Sequence, residues 1–190
     1  MQKTILWEIV PLNQPTITKN CSKCSTKCTF ITTGNFRINA NQSKVDVWLI
    51  YQCRKCKTTW NMPIFSRVNP TSIPPDLYRK FLCNDEELAR KYAFDANIHA
   101  QNNVNLEYEE VEYEVSGGII RLTDLKESIQ VQLMCNYPMD IRVDKILSRK
   151  LGISRSSIKR LGLCGKIIIN NEKEIWKTNL CKDLIITILP

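Results

Sequence analysis

Apolar and polar residues alternate through most of residues 1–68, and the period then changes. Thr29-Phe30-Ile31-Thr32-Thr33-Gly34 and Asn35-Phe36-Arg37-Ile38-Asn39 are short alternating runs, and Val45 to Gln52 is a longer β-branched and aromatic one. A period of two places every second side chain on one face of a strand. Asn39-Ala40-Asn41 carries turn chemistry between these runs, so a β-hairpin is expected. The prolines of Asn69-Pro70-Thr71-Ser72-Ile73-Pro74-Pro75 can continue neither a helix nor a central strand, which predicts a linker. From Asp76 the spacing is helical, with Leu77, Phe81 and Leu82 on one side. Asn84 then reads as an N-cap, Asp85-Glu86-Glu87 as an acidic first turn that suits the helix dipole, and Leu88 and Tyr92 as the apolar face. Asn97 to Asn105 is a polar stretch. Beyond it, Leu106 to Val115 and Ser128 to Cys135 alternate as two strands around Gly117-Gly118 and a short Leu122 to Glu127 segment.

At the C-terminal end, Asp140 is expected to cap a helix in which Val143, Ile146, Leu147 and Leu151 recur at helical spacing, with Gly152 as its stop. Ser154 caps a second helix with Ile158 and Leu161 inward. After Gly162 and Gly165 the period turns extended in Lys166 to Asn170, and Leu184 to Leu189 forms a last strand. The expected fold class is α+β, in three parts: a β-hairpin domain at residues 1–68, a linker with an acidic helical and strand middle at 69–139, and a two-helix plus small-sheet domain at 140–190.

Composition keeps this picture, since 43% hydrophobic and 24% charged residues is ordinary for a folded chain. The apolar run from Val45 to Ile50 is interrupted by Asp46 and is far shorter than the roughly 20 residues a bilayer requires. The start, Met1 to Glu8, lacks the continuing apolar core of a signal peptide, so a cytoplasmic protein is expected. Charge changes the picture more. Residues 1–82 hold 12 Lys/Arg against 3 Asp/Glu (+9), residues 83–141 hold 4 against 12 (−8), and residues 142–190 hold 11 against 4 (+7). A basic, acidic, basic order suggests that the two ends meet a polyanion, or that the acidic middle neutralises them within the fold.

Nine cysteines without a secretion signal argue for reduced thiolates and a metal over a disulfide framework. Cys21-Ser22-Lys23-Cys24 and Cys53-Arg54-Lys55-Cys56 are two CxxC units. Each lets a tight turn offer two thiolates to one ion, and the hairpin between them returns the second unit to the first, the arrangement of a zinc ribbon. Cys21, Cys24, Cys53 and Cys56 are therefore the expected ligands of a structural zinc, with iron open to the same four thiolates. Lys23, Lys27, Arg54, Lys55 and Lys57 would offset the charge of such a centre. Cys28 reads as a bystander that could replace one ligand. A closed four-thiolate site leaves no coordination position for catalysis, and the only histidine, His99, lies apart in the polar stretch, where it reads as a surface or capping residue.

On the C-terminal helices Arg142, Lys145 and Arg149 form a stripe, and Arg155, Lys159 and Arg160 point outward on the next. Arg142-Val143-Asp144, Leu147, Leu151-Gly152-Ile153-Ser154-Arg155-Ser156, Leu161, Gly165-Lys166-Ile167-Ile168-Ile169-Asn170 and Lys182-Asp183-Leu184-Ile185-Ile186 together resemble the S-four RNA-binding domain, named after the ribosomal protein. That resemblance implies an RNA-binding face containing Arg142, Lys145, Arg149, Arg155, Lys159, Arg160 and Lys166. Two positions depart from the pattern: Gly162, where a large apolar residue usually ends the second helix, and Asn171, where glycine usually follows asparagine. Further up the chain, the cysteine hairpin with Val45 to Tyr51, Thr58-Thr59-Trp60-Asn61 and Arg90 to Asp95 is similar to a bacterial family catalogued as domain of unknown function 1062, which implies no activity.

The expected function is non-enzymatic binding of structured RNA, ribosomal or transfer, because Trp176 is the only ring in the basic segment available for stacking on single-stranded bases. A zinc-ribbon module that docks a protein, or is associated with transcription, is the alternative, with Glu107, Glu109, Glu110, Glu112 and Glu114 facing a basic partner. Asp124, Glu127 and Asp140 do not assemble into a catalytic set by spacing, and no membrane or small-molecule partner is indicated.

Overall fold

The computed structural model describes residues 3–41, 43–169, 174–180 and 183–190. Two five-stranded sheets and five helices among these residues make an α+β chain. It divides into two compact units, one of Asn13–Val111 and one of Met1–Leu12 with Glu112–Pro190. Strand β1 (Lys3–Pro11) belongs to the second of these. The next four, β2 (Thr16–Cys21), β3 (Thr26–Asn41), β4 (Lys44–Cys53) and β5 (Thr59–Val68), belong to the first.

In the Asn13–Val111 unit the sheet order is β5-β4-β3-β2-β6, all antiparallel, with β6 being Leu106–Glu107. Alternation along β4 buries Val45, Val47, Leu49, Tyr51 and Cys53 in turn. Helices α1 (Pro75–Leu82), α2 (Glu86–Ala93) and α3 (Ala96–Gln101) contribute Phe81, Leu88, Ala89, Ala93 and Ile98 to the same core. The Phe81 ring meets Phe36 edge-on at 4.9 Å between centroids. The two short runs expected before the turn are one strand, β3, whose register shifts between Thr32 and Phe36 around Gly34 at φ +75°. Pairing continues through Asn39, Ala40 and Asn41 opposite Asp46, Val45 and Lys44, so these residues are strand and not turn. Asp85, not Asn84, caps α2, accepting from Leu88 N at 2.8 Å. Asn84 sits at φ +53° and its Oδ1 instead accepts from Phe36 N. Leu82 is exposed. The proline segment forms a 3-10 turn at Pro70–Ser72 followed by buried Ile73, and lies inside this unit.

In the other unit the order is β7-β1-β8-β10-β9, with β7 Tyr113–Val115, β8 Ile129–Cys135, β9 Ile167–Ile169 and β10 Leu184–Ile188. Strand β1 runs parallel to β8 from Lys3 opposite Ile129 to Ile9 opposite Cys135, and antiparallel to β7. Grouping residues 1–68 together therefore separates β1 from the strands it pairs with, where its Trp7 and Ile9 are fully buried. Trp7 Nε1 donates to Gly118 O at 2.7 Å, and Gly117, at φ +93°, would place a Cβ 2.0 Å from Leu6 O. The single strand expected over Leu106 to Val115 is split, because Leu106–Glu107 pairs with β2 and Tyr113–Val115 with β1.

Helices α4 (Val143–Leu151) and α5 (Arg155–Leu163) bury Val143, Ile146, Leu147 and Ile158. Gly152 ends α4 in the left-handed region at φ +67°, and Ser154 caps α5 by accepting from Ser157 N at 3.1 Å. The α4 N-cap is Arg142, while Asp140 Oδ1 accepts from the Asn179 side chain. At Gly162 a Cβ would lie 3.1 Å from Ile175 Cδ1, so glycine there lets the following 3-10 turn, Ile175–Lys177, approach α5. Asn170, Asn171, Cys181 and Lys182 lie outside the described residues. Among the described residues no helix is long and apolar enough to cross a membrane.

Candidate metal centre and basic helix face

Strand alternation delivers the first cysteine of each pair. Cys53 is the last inward residue of β4, following Leu49 and Tyr51, and Cys21 ends β2 two steps beyond Lys19 and four beyond inward Ile17. Each pair then closes in the same kind of turn. Ser25 N donates to Cys21 O at 2.8 Å and Lys57 N to Cys53 O at 2.9 Å, with Ser25 and Lys57 both left-handed at φ +54° and +64°. A threonine follows at the fifth position in both, Thr26 paired with Cys21 and Thr58, whose carbonyl accepts from Cys53 N at 2.8 Å. Two local copies of one turn thus face each other across β3.

The sulfurs of Cys21, Cys24, Cys53 and Cys56 all lie within 4.8 Å of one another, and Cys21 and Cys56 are 3.4 Å apart. Metal–sulfur bonds of about 2.3 Å at a tetrahedral centre require sulfurs about 3.8 Å apart, so these four thiols can hold a metal ion. The surroundings favour thiolate at two of them. The Thr58 hydroxyl and backbone N–H bring Cys56 down to about 6, and the N–H groups of Cys56 and Lys55 lower Cys53. Cys24 is pushed up by its contact with Cys56 and by burial. Cys28, on β3, stands beside Cys24 and Cys53 and is raised chiefly by burial; it is not one of the four clustered sulfurs. Lys23, Lys27, Lys55 and Lys57 are exposed around the cluster, whereas Arg54 forms a bidentate pair with Glu110 at 2.9 and 2.7 Å. The acidic run thus neutralises part of the basic one within this unit.

The seven basic residues singled out on the C-terminal segment are used unequally. Arg142 and Arg155 both bond to Asp144, whose side chain is 4% exposed while theirs are near half exposed. Arg149 Nη1 donates to Tyr113 O at 2.7 Å, and Lys145 Nζ and Arg149 Cζ lie 5.8 and 5.5 Å from the centre of the Tyr113 ring. Lys159 lies 5.5 Å from the ring of Trp176. Arg160 and Lys166 are exposed. Asp144 and Tyr113 organise this face; the sequence pattern includes Asp144 only as part of Arg142-Val143-Asp144 and singles out neither as a functional residue. Neighbouring Lys150 ties α4 to the same edge, donating to Val115 O and Gly117 O at 3.1 and 2.8 Å.

His99 is neither a surface nor a capping residue. It is fully buried on α3, with Nδ1 2.7 Å from Asp95 O and Nε2 2.7 Å from the Tyr51 hydroxyl. Donation from Nδ1 to the carbonyl leaves Nε2 to accept from the phenol, a closed set of bonds in a neutral ring. The five glutamates from 107 to 114 divide between the units, so they form no single acidic strand face.

Fold and site define a two-unit α+β chain with a four-thiol cluster in one unit and an arginine-rich helix pair in the other. The chain belongs to the family described as Protein of unknown function (DUF1062), which residues 38–173 match. The matched span contains Cys53, Cys56, α4 and α5 and begins beyond Cys21 and Cys24. No curated protein and no solved structure matches the chain.

Proposed function

We propose that this is a non-enzymatic RNA-binding protein whose α4–α5 face meets the phosphates of a structured RNA, ribosomal or transfer, and whose cysteine cluster is a structural zinc ribbon. The observation that carries the RNA reading is the charge balance on that face. One buried carboxylate, Asp144, is shared by two arginines, and Lys145, Lys159, Arg160 and Lys166 stand exposed on the same helices and the turn after them. Ordered cations in excess over carboxylates suit a polyphosphate backbone, whose binding weakens steeply with salt. Trp176 is partly buried and engaged with Lys159, which favours structured RNA over stacked single-stranded bases.

Filter binding of ribosomal and transfer RNA at low and moderate salt tests this. Retention should fall with salt and drop at least tenfold in the combined variant Lys159→Glu, Arg160→Glu, Lys166→Glu. Arg155 is left intact, because a carboxylate there would face Asp144. No retention at either salt, or retention unchanged in the variant, overturns the reading, and a protein partner recovered after nuclease treatment would favour docking instead. For the ribbon, metal analysis should return one zinc per chain. Four freely titratable thiols would sink it, and stoichiometric iron would replace zinc.

A further inference from the structure

Tyr113 lies on β7, 4% exposed, and its hydroxyl is the one buried side-chain polar atom among the described residues without a hydrogen-bond partner. Phenylalanine would fill the same space without stripping a hydroxyl of water, so the oxygen calls for a ligand. Its surroundings say which kind. Lys145 and Arg149 flank the ring, and the positive charges of Arg149 and Arg155 act on the phenol oxygen, opposing the rise that burial imposes on it. Arg149 spends Nη1 on the Tyr113 carbonyl and Arg155 spends Nε and Nη2 on Asp144, so each keeps N–H donors in hand. Glu114, next along β7, alternates to the opposite face and is exposed there.

We propose that Tyr113, Lys145, Arg149 and Arg155 form a subsite for a single phosphate group, with the Tyr113 hydroxyl as a hydrogen-bond donor to it. The assignment rests on the RNA reading of the α4–α5 face and extends it to a strand outside those helices. Guanidinium and ammonium groups supply the charge, and the phenol supplies a directed, desolvated donor that lysines on a plain surface lack.

Inorganic phosphate titrated into the full chain at low salt, followed by NMR, tests the subsite separately from RNA retention. Saturable binding should weaken about tenfold in Tyr113→Phe, which keeps the ring and its cation contacts and removes one hydrogen bond to a charged group. Lys145→Gln, at an exposed position, should weaken it as well and serves if the phenylalanine variant does not fold. Phosphate affinity equal in the parent and both variants, or no saturable binding, overturns the subsite even if RNA is retained. Saturable, Tyr113-dependent phosphate binding without RNA retention keeps the subsite and removes the RNA reading.

Discussion

Asp144 shows how a single side chain decides what its neighbours can do. Its buried carboxylate receives Arg142 and Arg155, which holds both guanidiniums at the surface in fixed positions. Asp144→Asn should cost about 2 kcal/mol in urea unfolding, since hydrogen bonds to charged groups are lost while water still reaches the half-exposed arginines. His99 makes a second prediction. Burial disfavours its imidazolium, so its folded pKa lies below the ordinary 6.5 and the unfolded chain takes up the proton first as pH falls. The stability it contributes is complete above about pH 6.5 and is lost as pH drops through the folded value. As the only histidine, it should make the parent's melting temperature fall between about pH 7 and 5 more than that of His99→Gln, which starts lower. At the cluster, Cys53→Ser should abolish stoichiometric metal while Cys28→Ser retains it, read by metal analysis. The four cysteines were legible because ligand spacing is local. His99 was not, because the partner that makes its burial tolerable, Tyr51, lies 48 residues away.

Among the elements, α4 and α5 followed from their apolar period, the Gly152 stop and the Ser154 cap, all features written within one turn of the chain. Ser154→Ala should cost about 1 kcal/mol by removing the acceptor for Ser157 N, and Gly152→Ala a similar amount through its left-handed backbone, both measured by thermal or urea unfolding. Other elements were hidden. Helix α3 is capped by Asp95 and buries Ile98 and His99, but its six residues are too few to show an apolar stripe. The division of residues 106–115 between two sheets is decided by partners on β1 and β2, and its one local sign is the slip at Glu109-Glu110, where apolar residues pass from even to odd positions. The parallel pairing of β1 with β8 spans more than 120 residues and leaves no local mark.

Taken whole, the chain keeps its thiol cluster and its cation-rich helix pair in separate compact units. On the proposed zinc ribbon, a chelator should therefore reduce hydrogen-exchange protection within residues 13–111 and leave β8, α4 and β10 protected. Equal loss in both units would show that the metal supports the entire molecule. The unit of residues 13–111 also interrupts a simple antiparallel pair, since Leu12 N bonds to Glu112 O at 2.8 Å where β1 leaves and β7 resumes. During synthesis this has an order built into it. The ribosome delivers β1 before the thiol-bearing unit and its partners β7 and β8 after it. Once that unit has folded, the two ends of the insertion are held together and the long loop that β1 must close is reduced to a few residues, so capturing a metal on the nascent chain would hasten assembly of the sheet beneath the basic helices.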